Sequence, residues 1–262
     1  MSLRAVFTPP QDGPTNMATD VALLRSVAAG RSRPTLRLYR WKGPWVSLGY
    51  AQDAARAVDL AACEAAGVGL VRRPTGGKAL LHGSDLTYCL TLPGSHPVAH
   101  ASIGRSYLAI SKVLVDALAL LGLEGSLTER ESGRSDATRA CFEEHRVETV
   151  SLGGRKLIGS AQARRDGGLL QHGSILLSPN DELAARLFRP QGLAVEEFRE
   201  RYRGRVVSLA EAAPAVTAEA LAAALVAAFG KAFGDVVAGD LAADELLAVE
   251  ELKKTEFLDI ER

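Results

Sequence analysis

Cysteine is scarce in this chain and forms no pattern. Cys63, Cys89 and Cys141 are the three among 262 residues, an odd number without the short paired spacing of a zinc site or a disulfide framework. That excludes a disulfide-stapled secreted scaffold and leads us to expect a reducing, cytoplasmic setting. Net charge is lacking too. Lys+Arg and Asp+Glu each number 31, so bulk electrostatics give no reason to expect a nucleic acid partner. No apolar run reaches the roughly 18 residues of a membrane span. The opening MSLRAVFTPPQDG has no continuous apolar core, so no secretory signal is expected. There is no long linker and no tract polar enough to stay unfolded throughout.

What is present is a globular composition, 47% apolar and 24% charged, in a length that can bury a substantial core. Residues 1–262 read as a single domain, with a core over 16–209 and a helical segment over 217–253 packed on it. Met17, Val21, Leu24 and Ala28 make one stripe that stops at Gly30, a helix with a glycine stop signal. TLRLYRW and WVSLGY alternate apolar with polar about Lys42-Gly43-Pro44 and read as two strands and a turn. An alanine-rich helix is expected over 54–66, then strands over 68–73, near 78–81 and over 85–92. Ile103, Tyr107, Ile110, Leu114, Ala117 and Leu121 mark the clearest helix. Residues 124–146 carry almost no apolar periodicity and read as a mobile loop. Strand character returns in VETVSLGG, RKLIGSAQARR and GLLQHGSILL, separated by turns suited to hairpins. Short helices are expected near 180–188 and 194–202. The fold class expected is α+β, with a mixed, largely antiparallel sheet packed with helices. The segments GGKALLHGS and GGLLQHGS echo each other, weakly, since hairpins reuse such turns.

Several residues carry two readings. Arg31, Arg33, Arg37, Arg40 and Lys42 fall in 31–44 without one acid, either a solvated basic face or a landing site for a phosphate or an acidic protein. Gly76-Gly77 is a hairpin turn, or a bare backbone that lets a ligand approach its amides beside Arg72, Arg73 and Lys78. His82 and His172 are core histidines or site residues. No carboxylate lies at ligand spacing from them, so no metal is expected. Lys156 points outward from an edge strand, or inward to stabilise charge developing on a carbonyl oxygen. Cys63 and Cys89 sit in apolar elements as small core residues. Cys141 lies in a polar segment beside Arg139, His145 and Arg146, groups that would favour a thiolate.

Five segments taken together, NMATDVALLRSV, PTLRLYRWKGPWVSLGYAQ, RRPTGGKALLHGSDLTYCL, GGRKLIGSAQARRDGGLLQHGSILL and RYRGRVVSL, resemble the lipoate–protein ligase/octanoyltransferase family of the biotin/lipoate protein ligase superfamily. They cover most of residues 16–209 in family order. The resemblance implies an α/β family fold on a mixed sheet, related to the catalytic domain of biotin ligases. It also implies one of two chemistries. Ligases activate a free acid with ATP, whereas octanoyltransferases take the acyl chain from acyl carrier protein onto a cysteine. Ala140-Cys141-Phe142, ahead of Lys156, is similar to the Gram-positive type of octanoyltransferase, and no cysteine follows residue 141. Asp85 stands where glutamate is usual in that type, and Cys89 where serine is usual. On this resemblance Cys141 is the expected nucleophile, with Lys156 near the acyl carbonyl. Arg72, Gly76, Gly77, His82, Gly159 and His172 are the expected substrate-binding residues. The expected activity is transfer of octanoyl from octanoyl-acyl carrier protein to a lipoyl-domain lysine, with the glycine-cleavage H protein as the candidate acceptor and neither ATP nor metal required. An ATP-dependent lipoate ligase and a non-catalytic acyl-binding module are the rival readings.

Overall fold

The computed structural model describes residues 2–127, 149–190 and 192–257. Its strands are β1 (Leu3–Phe7), β2 (Thr35–Tyr39), β3 (Trp45–Leu48), β4 (Gly69–Arg72), β5 (Leu80–His82), β6 (Asp85–Pro93), β7 (Gly125–Leu127), β8 (Val150–Leu152), β9 (Arg155–Arg165), β10 (Gly168–Leu176) and β11 (Val236–Ala238). The helices are α1 (Gly13–Ala28), α2 (Ala54–Ala57), α3 (Leu60–Ala65), α4 (Pro97–His100), α5 (Ile103–Ala119), α6 (Asp181–Phe188), α7 (Val195–Arg205), α8 (Leu209–Ala212), α9 (Ala218–Phe233) and α10 (Ala243–Thr255).

Two sheets form. The larger runs β11-β1-β2-β6-β10-β9-β8-β7 and the smaller β4-β3-β5. β11, β1 and β2 pair in parallel, while the remaining pairs of the large sheet are antiparallel. The fold is therefore the expected α/β arrangement with a mixed sheet.

The centre of the large sheet explains where the site sits. On β6, Leu86, Tyr88, Leu90 and Leu92 point into a core shared with α5 and α9. Because side chains alternate across a strand, Asp85, Thr87, Cys89 and Thr91 face the other way, and all four are buried. β2 divides likewise: Leu36 and Leu38 join the α5/α9 core, while Tyr39 packs with α1. Helix α1 is thus enclosed by the large sheet, β4 and α10. Its apolar stripe buries Met17, Val21 and Leu24, but Asn16, Thr19 and Asp20 are buried as well. A third core lies between the small sheet and α2, α3, α6 and α7.

Five features differ from expectation. β2 and β3 form no hairpin, because β3 leaves the large sheet to pair with β4 and β5. The helix expected over 54–66 is two helices: Val58 is extended (φ −140°, ψ 162°), and the Asp59 side chain accepts from Ala62 N to cap a second helix that starts at Leu60. Ile103 of the α5 stripe is 65% exposed, since it stands at the first turn, ahead of the core contacts. The C-terminal segment contains β11, which pairs with β1, a strand in a stretch where none was expected. Glu245 of α10 is held by Arg4 at 2.7 Å and by Ser32 at 2.9 Å. The loop expected over 124–146 begins with β7, and its residues from 128 onward lie outside the described residues.

Candidate active site

The polar faces of β6 and β10 meet β3 and β5 beside the start of α1, and the buried side chains there sort into two similar sets. In the first, Asp85 Oδ2 lies 2.9 Å from His82 Nδ1, and His82 Nε2 lies 2.9 Å from Ser47 Oγ. Asp85 also accepts from Gly83 N (3.0 Å), Thr87 Oγ1 (2.9 Å) and Ser174 Oγ (2.7 Å). In the second, Asp20 Oδ2 lies 3.0 Å from His172 Nδ1, and His172 Nε2 lies 2.8 Å from Thr75 Oγ1. Asp20 accepts further from Arg37 Nη1 (2.7 Å) and Tyr39 OH (2.9 Å). A carboxylate beside Nδ1 requires a proton there, so an imidazole in the neutral form accepts at Nε2 and the hydroxyl beside it donates. Trp41 stacks on His82, centroids 3.9 Å apart, and its indole N–H donates to Thr87.

Burial favours the neutral form of every group here, and the partners decide the outcome. For Asp85, burial pulls the pKa up, but His82, Ser174 and the Gly83 amide outweigh it and hold the carboxyl below its usual value. Asp20 behaves alike, with His172 and Arg37 supplying the opposing pull. His172 goes the other way: burial holds its pKa below that of a free imidazole, against the pull of Asp20. Cys89 is fully buried and its thiol is pushed far up by burial. It has the character of a core residue, as does the buried Cys63.

These groups border a narrow cavity walled by Met17, Tyr39, Trp41, Leu80, Gly159 and Ala161 together with Arg73, His82 and His172. The polar side chains of the wall are spent on one another, which leaves an apolar interior suited to a hydrocarbon chain.

Among the expected site residues, His82, Gly159 and His172 come together on this wall. Arg72 does not. Its Nη1 donates to the carbonyls of Gly49 (3.0 Å), Tyr50 (3.0 Å) and Gln52 (2.7 Å), and the neighbouring Arg73 takes the cavity position. Alternation on β4 explains this, since Leu70 packs against the α6/α7 side and Val71 against α1, so Arg73 continues the inner face. Gly76 and Gly77 form the β4–β5 turn, which Arg73 braces by donating to Gly76 O (2.8 Å) and Lys78 O (2.7 Å). Gly77 has φ +96°. Lys156 is buried on β9, where its carbonyl accepts from Val207 N; it lies three residues before Gly159 and is not among the wall residues. Cys141, with Arg139, His145 and Arg146, lies outside the described residues.

The basic run over 31–44 is not one surface. Arg37 is fully buried against Asp20 and over the Tyr39 ring, and Arg31 pairs with Asp244. Arg33, Arg40 and Lys42 are the exposed cations that remain. Among the described residues no group of three His, Cys, Asp or Glu side chains is placed to hold a metal ion, and no helix is long and apolar enough to cross a membrane. Asp20, Asp85, Ser47 and Thr75 were not anticipated as site residues.

Residues 12–230 match the lipoyl protein ligase A/B catalytic domain. The octanoyltransferase LipM of Symbiobacterium thermophilum is 40% identical over 215 residues, 80% of this chain and 78% of that protein. The octanoyltransferase LipM of Carboxydothermus hydrogenoformans is 43% identical over 191 residues, 73% of this chain and 70% of that protein. Among solved structures, a lipoate-protein ligase A bound with ATP superposes with a TM-score of 0.80 at 25% identity, covering 97% of this chain and 95% of that one.

Proposed function

The chain belongs to the lipoyl protein ligase A/B catalytic-domain family, and from that premise we propose that it is an octanoyltransferase of lipoate biosynthesis, passing octanoyl from a thioester donor to a lysine of a lipoyl domain. The observation that carries this reading is the 40% identity over 80% of the chain to an octanoyltransferase. The apolar cavity agrees with it.

The donor is octanoyl-acyl carrier protein and the acceptor a lipoyl domain, the glycine-cleavage H protein being the candidate. The Cys141 thiolate attacks the thioester carbonyl; the new S–C bond forms as the carrier thiolate leaves, taking up the proton that Cys141 gave up. The acceptor amine then attacks the acyl-cysteine. The amide C–N bond forms as the C–S bond of the acyl-cysteine breaks, and a proton from the amine returns to the Cys141 sulfur. Lys156 donates to the carbonyl oxygen while negative charge develops on it in both steps. A thioester is already activated, so neither step consumes ATP. Exposed Arg33, Arg40 and Lys42 offer positive charge to acidic protein partners.

The test is transfer from octanoyl-acyl carrier protein to a purified lipoyl domain, followed by intact mass, with ATP and magnesium withheld. Octanoylated acceptor is expected. Modification that requires free octanoate or lipoate plus ATP would assign the ligase chemistry instead, and reversible binding with no transfer would leave a binding module.

A further inference from the structure

Arg73 joins the two aspartate–histidine sets. Its Nη1 donates to Ser47 Oγ (3.2 Å) and Ser47 O (2.9 Å), and its Nε to Thr75 Oγ1 (3.2 Å). Each hydroxyl therefore accepts from the guanidinium and donates to an imidazole Nε2, and each imidazole donates from Nδ1 to a carboxylate. The result is one continuous chain, Asp85–His82–Ser47–Arg73–Thr75–His172–Asp20, in which every bond runs outward from the cation to a buried anion. Hydrogen bonds aligned this way polarise one another. The chain also balances charge. Asp20 has Arg37 at 2.7 Å, whereas Asp85 is ringed by an imidazole, two hydroxyls and an amide, and the full cation of its arm is Arg73. The echoing segments around His82 and His172 thus converge on one guanidinium.

We propose that Ser47, Thr75, Asp20 and Asp85 are positioning residues for octanoyl transfer: Asp85 and Asp20, through His82 and His172, fix the Ser47 and Thr75 hydroxyls that clamp Arg73 in the wall of the acyl cavity, and with it the Gly76–Gly77 turn that it braces. The inference rests on the transferase reading above. Arg73 then braces the turn through Gly76 O and Lys78 O, and the turn abuts β3 so closely that a Cβ on Gly49 would lie 2.0 Å from Gly77 O. Ser47, His82 and Asp85 are also spaced like a serine–histidine–aspartate array. Arg73 argues against that use, because it donates to the Ser47 oxygen and draws on the lone pair a nucleophile needs.

The experiment uses the full chain, without substrate for spectra and with octanoyl-acyl carrier protein and a lipoyl domain for rates. Long-range nitrogen–proton spectra should show His82 and His172 as neutral Nδ1–H tautomers. Thr75→Val should move the His172 Nε2 shift more than that of His82, and Ser47→Ala should do the reverse. Each should lower kcat/KM for transfer by roughly ten- to a hundredfold, the scale of an ångström-sized misplacement. Thr75→Ser should restore both spectrum and rate, which a residue that only fills space would not do. Nε2–H tautomers in the wild type, a Thr75→Val variant with normal rate, or an octanoyl ester found on Ser47 in Cys141→Ala would overturn the proposal. Failure of the wild type to transfer octanoyl would strike the transferase reading, while the tautomers still judge the chain of bonds.

Discussion

With a single methyl group, Gly49→Ala probes the turn that Arg73 braces. Its Cβ would lie 2.0 Å from Gly77 O and 2.9 Å from Gly77 C, where ordinary contact begins at 3.4 Å. Gly49 cannot retreat easily, since its carbonyl accepts from Arg72 and Tyr50 N is tied to Thr75 O. The Gly76–Gly77 turn must therefore withdraw by more than an ångström, pulling on the Arg73 bonds to Gly76 O and Lys78 O. Overpacking of this kind costs about 1–3 kcal/mol. Each kcal/mol shifts the melting point of a domain near this size by about 2–4 °C, so Tm should fall by roughly 2–12 °C. Most of the molecule should stay folded at 25 °C, yet a misplacement of about 1 Å can cost on the order of a hundredfold in rate. The assay is octanoyl transfer to a lipoyl domain, read by mass beside a thermal melt. A stable variant with wild-type kcat/KM would refute the claim that the position of this turn matters.

Lys156→Ala should slow acylation by about a hundredfold or more, the usual effect of removing one donor to a developing oxyanion; unchanged acylation in a folded variant would remove Lys156 from the mechanism. Asp20→Asn should leave Arg37, fully buried, without its countercharge and cost about 3–5 kcal/mol; a denaturation midpoint within experimental error of wild type would contradict the pairing. Stability should fall on acidification in two stages. His172 is held below the ordinary value of 6.5, so the unfolded chain binds its proton first and stability drops as pH falls below 6.5. Asp20 and Asp85 are held below 3.8, so the contribution they make above that pH is lost as pH falls through it toward their folded values. Denaturant midpoints that rise from pH 7 to pH 4 would have the wrong sign.

Local patterns in the sequence carried the hairpin of β9 and β10, the α5 helix and the core placement of Cys63 and Cys89, because each depends on neighbours in the chain. The partition of β2 and β3 between two sheets was not legible. Both alternate, and alternation says which residues share a face but not which sheet a strand joins. Arg72 and Arg73 show the same limit. Period two places them on opposite faces, yet only the packing of Leu70 and Val71 identifies the inner one. Asp20 left a usable signal, a carboxylate four residues after Asn16 on a helix otherwise rich in apolar side chains. Arg37, alternating with Leu36 and Leu38, left another: a lone charge inside a strand calls for a buried partner. The break at Asp59 was also readable as a cap, but the alanine-rich composition around it favoured one helix.

The central claim is that acyl transfer passes through Cys141, and covalent capture tests it most directly. The protein should be mixed with octanoyl-acyl carrier protein in the absence of ATP and its intact mass measured. One added octanoyl group, released by hydroxylamine and mapped to Cys141, is the predicted result, with both adduct and transfer lost in Cys141→Ala and kept in Cys63→Ala and Cys89→Ala. A Cys141→Ala variant that still modifies lipoyl domains at the wild-type rate would contradict it.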